Sequence, residues 1–348
     1  MKRSHLSTAL SLAVVAACSV ITGCAHASGP TVGLLLSDYV SSSRWQYDRT
    51  DYEAALHKLE PNANIIVEDA KGDETRQQQQ AQALLTEGAK VLVVVPVDAV
   101  QAKSIVSSAH QEQPPVPVLS YDRVISDASV DAYVTFNNFN VGVAQAKYLV
   151  GHLRKGATII ELAGSPSDNN ALVFHDGAMS VLRPLASKGD IKIGYSKFTP
   201  QWDSIAGQQE MTSALTLLSN HVDGVLAAND NLAGGAIAAL KAQHLAGKVL
   251  VTGQDATVAG LQDILLGTQS MTVYKPIPVL ANAAARVTAD FLNGKTFHGS
   301  GRTEGVPTDF FPVITVTRDN IAATVIHDGF VTKQQLCTGL PASACSNI

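Results

Sequence analysis

Short apolar runs alternate with longer segments whose apolar residues recur at helical spacing, from residue 31 almost to the C-terminus. Strands are predicted at 31–36, 64–67, 91–96, 116–120 and 132–136, with helices at 45–59, 74–87 and 99–111 between them. The pattern then starts again. Helices 141–153, 169–185, 204–219, 231–243 and 256–266 interleave with strands 157–162, 191–195, 223–227, 248–252 and 271–274, followed by an Ala-rich helix at 277–292 and a last strand at 312–317. Val91-Leu92-Val93-Val94-Val95 is apolar on both faces, as a central parallel strand should be. Strict strand–helix alternation means βαβ units and parallel sheets covered on both sides. Two successive runs of about five units predict an α/β fold of two similar, doubly wound parallel-sheet lobes. No Pro/Gly/Ser-rich linker and no fixed-period repeat separates them.

The first residues follow a different pattern. Lys2 and Arg3 precede an apolar run over 9–21, too short for a stop-transfer helix, and Thr22-Gly23-Cys24 follows. Residues 1–23 therefore read as a signal peptide. The cysteine at its end resembles a bacterial lipobox, with Cys24 the lipidated first residue and 24–30 a linker. Ordinary cleavage near Ala25-His26-Ala27 is the alternative, and either predicts export to the periplasm or cell envelope. No later apolar run is long enough to span a membrane, so any membrane contact is through the lipid. Removing residues 1–23 takes away two basic and no acidic residues, leaving the remainder two charges more negative than the −5 of the full chain. That argues against a nucleic-acid partner. With 46% hydrophobic and 16% charged residues, the chain can bury two domains' worth of core. Cys337 and Cys345 flank a turn-rich loop, which outside the cytoplasm suggests a disulfide stapling the C-terminus. No further Cys or His accompanies them to suggest a metal site.

Candidate chemistry lies just after the strands, where ligands sit in open α/β sheets. There the chain carries Ser37-Asp38 and Arg44-Trp45-Gln46-Tyr47-Asp48-Arg49, then Tyr121-Asp122-Arg123, Asn137-Asn138 and Ser165-Pro166-Ser167-Asp168-Asn169-Asn170. Asn229-Asp230-Asn231, Gln254-Asp255 and Tyr274-Lys275-Pro276 complete the set. Singly, each has a plain explanation: Asp203, Asn231 and Asn169 fit helix N-caps, and Arg44 with Asp48 fits a surface i,i+4 pair. Together they suit a sugar. Guanidiniums and ammoniums only donate, carboxylates only accept, amides do both, and a planar guanidinium can bridge adjacent hydroxyls. The two tryptophans, Trp45 and Trp202, both fall in these loops and could cover the C–H faces of a pyranose. The alternative places Trp45 in a buried first helical turn and Trp202 under a surface loop. No glycine-rich phosphate turn, Ser-His-Asp set or metal-ligand spacing is present. A carboxylate pair for glycoside hydrolysis, drawn from Asp168, Asp230 and Asp255, has no distinguishing spacing.

These motifs, in this order over roughly 31–330, together with Ala233-Gly234-Gly235-Ala236-Ile237 and Gly267-Thr268-Gln269-Ser270-Met271-Thr272-Val273-Tyr274-Lys275-Pro276, resemble the periplasmic D-xylose-binding proteins of sugar ABC importers. Repressors share the fold, but they need an N-terminal DNA-binding helix pair where this chain has an export signal. The resemblance implies a type I periplasmic binding protein fold with three crossovers, near Phe136–Asn138, Tyr274–Ile277 and about 308–313. Residues 31–136 plus 277–308 would form one lobe, and 137–276 plus 309–348 the other. It implies D-xylose contacts from Arg44, Arg123, Asp168, Asn170, Asn229, Asp255 and Lys275, with Trp45 and Trp202 sandwiching the ring. It also implies a monomer without cofactor or metal that closes about a hinge and docks to a permease. One departure stands out: the family's Asp-Asn after the first crossover is Asn137-Asn138 here, which touches hinge contacts rather than sugar contacts. Glucose, ribose or arabinose as ligand, a sensory role, and a sugar-processing enzyme using Asp168 and Asp255 are the competing readings.

Overall fold

The computed structural model describes residues 29–346 and 348. The expected signal peptide and Cys24 lie outside the described residues. The first run comprises β1 (Thr31–Leu36), α1 (Trp45–Leu59), β2 (Asn64–Asp69), α2 (Glu74–Thr86), β3 (Val91–Val94), α3 (Lys103–Gln111), β4 (Val118–Tyr121) and β5 (Ala132–Phe136). The second comprises α4 (Asn138–His152), β6 (Ala157–Ala163), α5 (Asn169–Ser187), β7 (Ile191–Phe198), α6 (Ser204–Leu217), β8 (Gly224–Ala227), α7 (Asp230–Ala242), β9 (Leu250–Val251), α8 (Val258–Leu266) and β10 (Thr272–Tyr274). The chain ends with α9 (Ile277–Leu292), β11 (Gly301–Thr303), β12 (Val306–Phe311), β13 (Ile314–Val316) and α10 (Lys333–Cys337).

Two sheets organise these elements. One runs β11-β12-β5-β4-β3-β1-β2 and is parallel except for the β11–β12 hairpin. The other runs β7-β6-β8-β9, all parallel, with the antiparallel pair β10–β13 joined to its edge through a bridge between Gln254 and Val273. Each sheet reverses its winding once, beside β1 in the first and beside β6 in the second. Loops at those carboxyl edges therefore open a crevice. The four side chains of β3 are fully buried, each worth about 1.5–3 kcal/mol when removed from water. α1 and α9 cover one face of the large sheet, and α2 and α3 the other. In the second lobe Gly235 lets α7 approach α6, since a Cβ there would lie 2.3 Å from the Ser204 carbonyl oxygen.

The chain passes between the sheets three times, after β5, between β10 and α9, and between β12 and β13. The expected last boundary at 308/309 is displaced. Asp309–Phe311 still pair with β5, so the chain leaves the first sheet only after Phe311. The β11–β12 hairpin was not anticipated, because Pro307 and Asp309 break the apolar run that marks the other strands. α3 begins at Lys103 rather than 99. Asp98 accepts bonds from the Val100 and Gln101 amides in a tight turn, and the Ala99 amide crosses to the Ser167 carbonyl at 3.1 Å. At the C-terminus Cys337 and Cys345 are bonded as a disulfide. Closing this short loop constrains the unfolded chain by about 2.5 kcal/mol in the entropic account, and the segment packs its Leu336 and Ala344 against α8.

Candidate functional site

A pocket between the two sheets encloses about 280 Å³, open solvent included. It is lined by all nine residues expected from sequence: Arg44, Trp45, Arg123, Asp168, Asn170, Trp202, Asn229, Asp255 and Lys275. Ser41, Ser42, Asp122, Phe174 and Gln254 line it too. Each comes from the segment after a strand or from the helix that follows, which is why residues scattered over 230 positions meet.

Arg44 anchors the first wall. As the residue preceding α1 it reaches Asp48 one turn on, with Nε and Nη2 each 2.9 Å from a carboxylate oxygen. The pair is i,i+4, but fully buried rather than on the surface. Nη2 also lies 3.1 Å from Asp122, and Nη1 lies 3.9 Å from Asp255 across the cleft. Burial alone would weaken the charge, yet Asp122, Asp48 and Asp255 together hold the guanidinium pKa well above its usual value. Asp48 is fixed from behind by the Tyr121 hydroxyl, which donates at 2.6 Å. The guanidiniums of Arg44 and Arg123 both lie over the Trp45 ring, at 4.5 and 5.3 Å.

Arg123 and Asp168 join the walls, with Nε 2.8 Å from Oδ2. Asp168, rather than Asn169, caps α5, and it lines the pocket as well. Its Oδ1 accepts the Asn170 amide at 2.9 Å, while Oδ2 faces Arg123 and accepts the Trp202 indole N–H at 3.2 Å. Asn229, not Asn231, likewise caps α7 through Oδ1 to the Leu232 amide, leaving Nδ2 to donate to the Ser41 carbonyl across the cleft. Asp203 caps α6 as expected. Capping and pocket lining are thus the same placement, because a helix N-terminus at a strand's carboxyl edge points into the crevice.

Asp122 is the residue the sequence reading underweighted. It sits at φ 59° after β4, and its carboxylate lies between Arg44 and Lys275, 3.6 Å from the latter's Nζ. Burial would raise its pKa, but Arg44, Lys275 and Arg123 outweigh burial and hold it below the usual carboxylate range. Burial pushes the Lys275 pKa down and that of Asp168 up. The only signal available was its place between Tyr121 and Arg123. Asn138, at the first crossover, donates to Asn170 Oδ1 at 2.8 Å, which turns the Asn170 amide toward Asp122. Asn137 caps α4 through its side-chain Oδ1, which accepts the Asn140 amide at 3.1 Å, as an Asp carboxylate would. Asp230, the third carboxylate considered for hydrolysis, does not line the pocket; it is turned toward Gln269, Thr272 and Thr257.

Residues 32–296 match the periplasmic binding protein domain. The chain belongs to the periplasmic binding protein family. It is 40% identical to the D-xylose-binding periplasmic protein of Escherichia coli, over 90% of this chain and 94% of that one. A protein of the same description from Haemophilus influenzae is 38% identical, over 93% and 97%. Among solved structures, the carbohydrate transporter solute binding protein of Chloroflexus aurantiacus in complex with D-glucose superposes with a TM-score of 0.81 at 31% identity, covering 87% of this chain and 97% of that one. The fold is the type I form, the relatives are transport proteins rather than enzymes, and the chain's role is solute binding for a sugar ABC importer. Among the described residues no helix is long and apolar enough to cross a membrane.

Proposed function

We propose that this periplasmic binding protein takes D-xylose as its ligand, delivered to an ABC permease by lobes that close about the three crossovers. The observation that carries the reading is the pocket itself. Three cations (Arg44, Arg123, Lys275) and three carboxylates (Asp122, Asp168, Asp255) converge with two indoles and three side-chain amides on one pocket. Arg44, Arg123 and Lys275 would donate to sugar oxygens, Asp168 and Asp255 would accept from hydroxyls, and Asn170 and Asn229 would do both. Trp45 and Trp202 would cover the ring faces. The lobes are residues 31–136 with 277–311, and 137–276 with 312–348. The name of the relatives from E. coli and H. influenzae supports the pentose. A hexose is the second reading, because the C. aurantiacus structure holds D-glucose. We further infer a monomer anchored to the envelope through a lipid on Cys24.

Thermal unfolding of protein lacking residues 1–24, against pentoses and hexoses, tests this. A sugar at about a thousand times its dissociation constant stabilises the fold by ~4 kcal/mol, a shift of several degrees. A rise with D-xylose alone supports the reading. A rise with glucose instead keeps the transport role and overturns the substrate. No shift with any sugar, in protein shown to carry no co-purified ligand, overturns both.

A further inference from the structure

Behind the pocket, Asp230 ties the start of α7 to two other segments, 254–257 and 269–272. The residue opens α7 and is only 5% exposed, yet it does not line the pocket. Oδ1 accepts from Gln269 Nε2 at 2.8 Å and Thr272 Oγ1 at 2.9 Å. Oδ2 accepts from the Thr257 amide at 2.8 Å and its hydroxyl at 3.1 Å. The Asp230 amide donates to the Gln254 carbonyl at 3.0 Å. Backbone closes tightly around the carboxylate: a Cβ on Gly253 would lie 2.1 Å from Oδ1, and one on Gly260 2.4 Å from Oδ2.

Asp230 therefore grips both ends of the turn Gln254–Thr257. Inside that turn Asp255 has φ 93° and Ala256 φ 49°, a strained backbone that non-glycine residues rarely adopt unless their surroundings impose it. Thr272 holds the middle of the turn as well, since its Oγ1 accepts the Ala256 amide at 3.2 Å. The strained residue Asp255 is the one that reaches across the cleft to Arg44. Desolvation makes the clamp costly, pushing the Asp230 carboxyl up to about 7.

We propose that Asp230 is a positioning residue for sugar binding: by clamping Gln254 and Thr257 it holds Asp255 in the conformation that aims its carboxylate into the cleft. This deepens the proposed function and rests on it. The clamp acts through Asp255, so the two residues must be energetically coupled, whereas a merely structural role would weaken binding whatever stands at 255.

The test is a double-mutant cycle read by titration calorimetry with D-xylose. Asp230→Asn, which turns an N–H toward donors, should weaken binding ~10–100-fold, as expected for a buried charged hydrogen-bond partner. Thr272→Val, which keeps the shape and removes the hydroxyl's bonds to Asp230 and from the Ala256 amide, should weaken it roughly threefold to tenfold. In the Asp255→Ala background each should change affinity by less than about twofold, the coupling expected of groups acting as one unit. Equal losses in both backgrounds, or single variants within twofold of wild type, overturn the inference. If Asp230→Asn does not fold, the Thr272→Val cycle decides alone. A wild type that binds D-xylose while the variants match it overturns only this inference. A wild type that binds none overturns the proposed ligand, and this inference with it.

Discussion

The two walls of the cleft each present a tryptophan, and they are built in opposite ways. Trp45 opens a regular helix, with Arg44 just before it and Asp48 one turn later, so the wall is a consequence of α-helical spacing. Trp202 follows Gln201 in a turn where both residues have positive φ, 57° and 55°. Nothing local favours that geometry. It persists because the surroundings determine it: the indole N–H donates to Asp168, the Trp202 carbonyl accepts from Asn231 at 2.9 Å, and Gly164 leaves room for the ring. Phe174 closes the edge at a centroid distance of 6.2 Å. One wall is a periodic element that packs. The other is a packing arrangement that imposes its own backbone, so it should be the more easily lost.

The contacts joining the walls should be the most sensitive. Arg123→Ala leaves the buried Asp168 carboxylate without its cation, and Asp255→Ala removes a charged acceptor from the cleft; each should weaken sugar binding by ~2–4 kcal/mol. Calorimetry measures this, and a loss below tenfold for either would remove that residue from the site. Equal losses would mean that the walls contribute alike once closed, however differently they are made.

Gly164→Ala separates the walls directly. Its Cβ would lie 2.0 Å from the Trp202 ring, so the indole must move. Overpacking of this kind costs roughly 1–3 kcal/mol of stability, a fall of a few degrees in Tm. Affinity should drop with it, while near-ultraviolet dichroism records the displaced indole. Unchanged affinity with lowered Tm would show that Trp202 supports the wall without touching the sugar.

The smallest effect is on the scaffold behind the second wall. Glu161 of β6 accepts from His175 of α5 at 2.8 Å and from Ser196, tying the strand and helix whose adjoining ends carry Gly164 and Asp168. The bond to Glu161 raises the His175 pKa against partial burial and Arg183. A histidine whose folded pKa is raised contributes stability that is full below its unfolded value of about 6.5 and fades as pH rises through the folded one. Tm should therefore fall more steeply with pH above about 6.5 in wild type than in His175→Gln. Parallel curves would count against a charged His175.

Most of the architecture was legible from the chain. Strand–helix alternation is set by local periodicity, and β1, α1 and α9 fall where apolar spacing placed them. The pocket was legible for a related reason: in parallel sheets polar segments at strand carboxyl ends must converge, and within those segments the resemblance to xylose-binding proteins singled out Arg44, Arg123, Asp168 and Asp255, all of which line the pocket. Tertiary structure alone decided the rest. Which residue of Asp168-Asn169-Asn170 caps α5, that Asp122 lies between two cations while Asp230 turns away, and that β12 completes the first sheet all depend on long-range neighbours. Period and spacing are written one residue at a time, so they survive in the sequence. The direction of a buried carboxylate is set by whichever donors the fold brings to it, and those come from segments tens to hundreds of residues away.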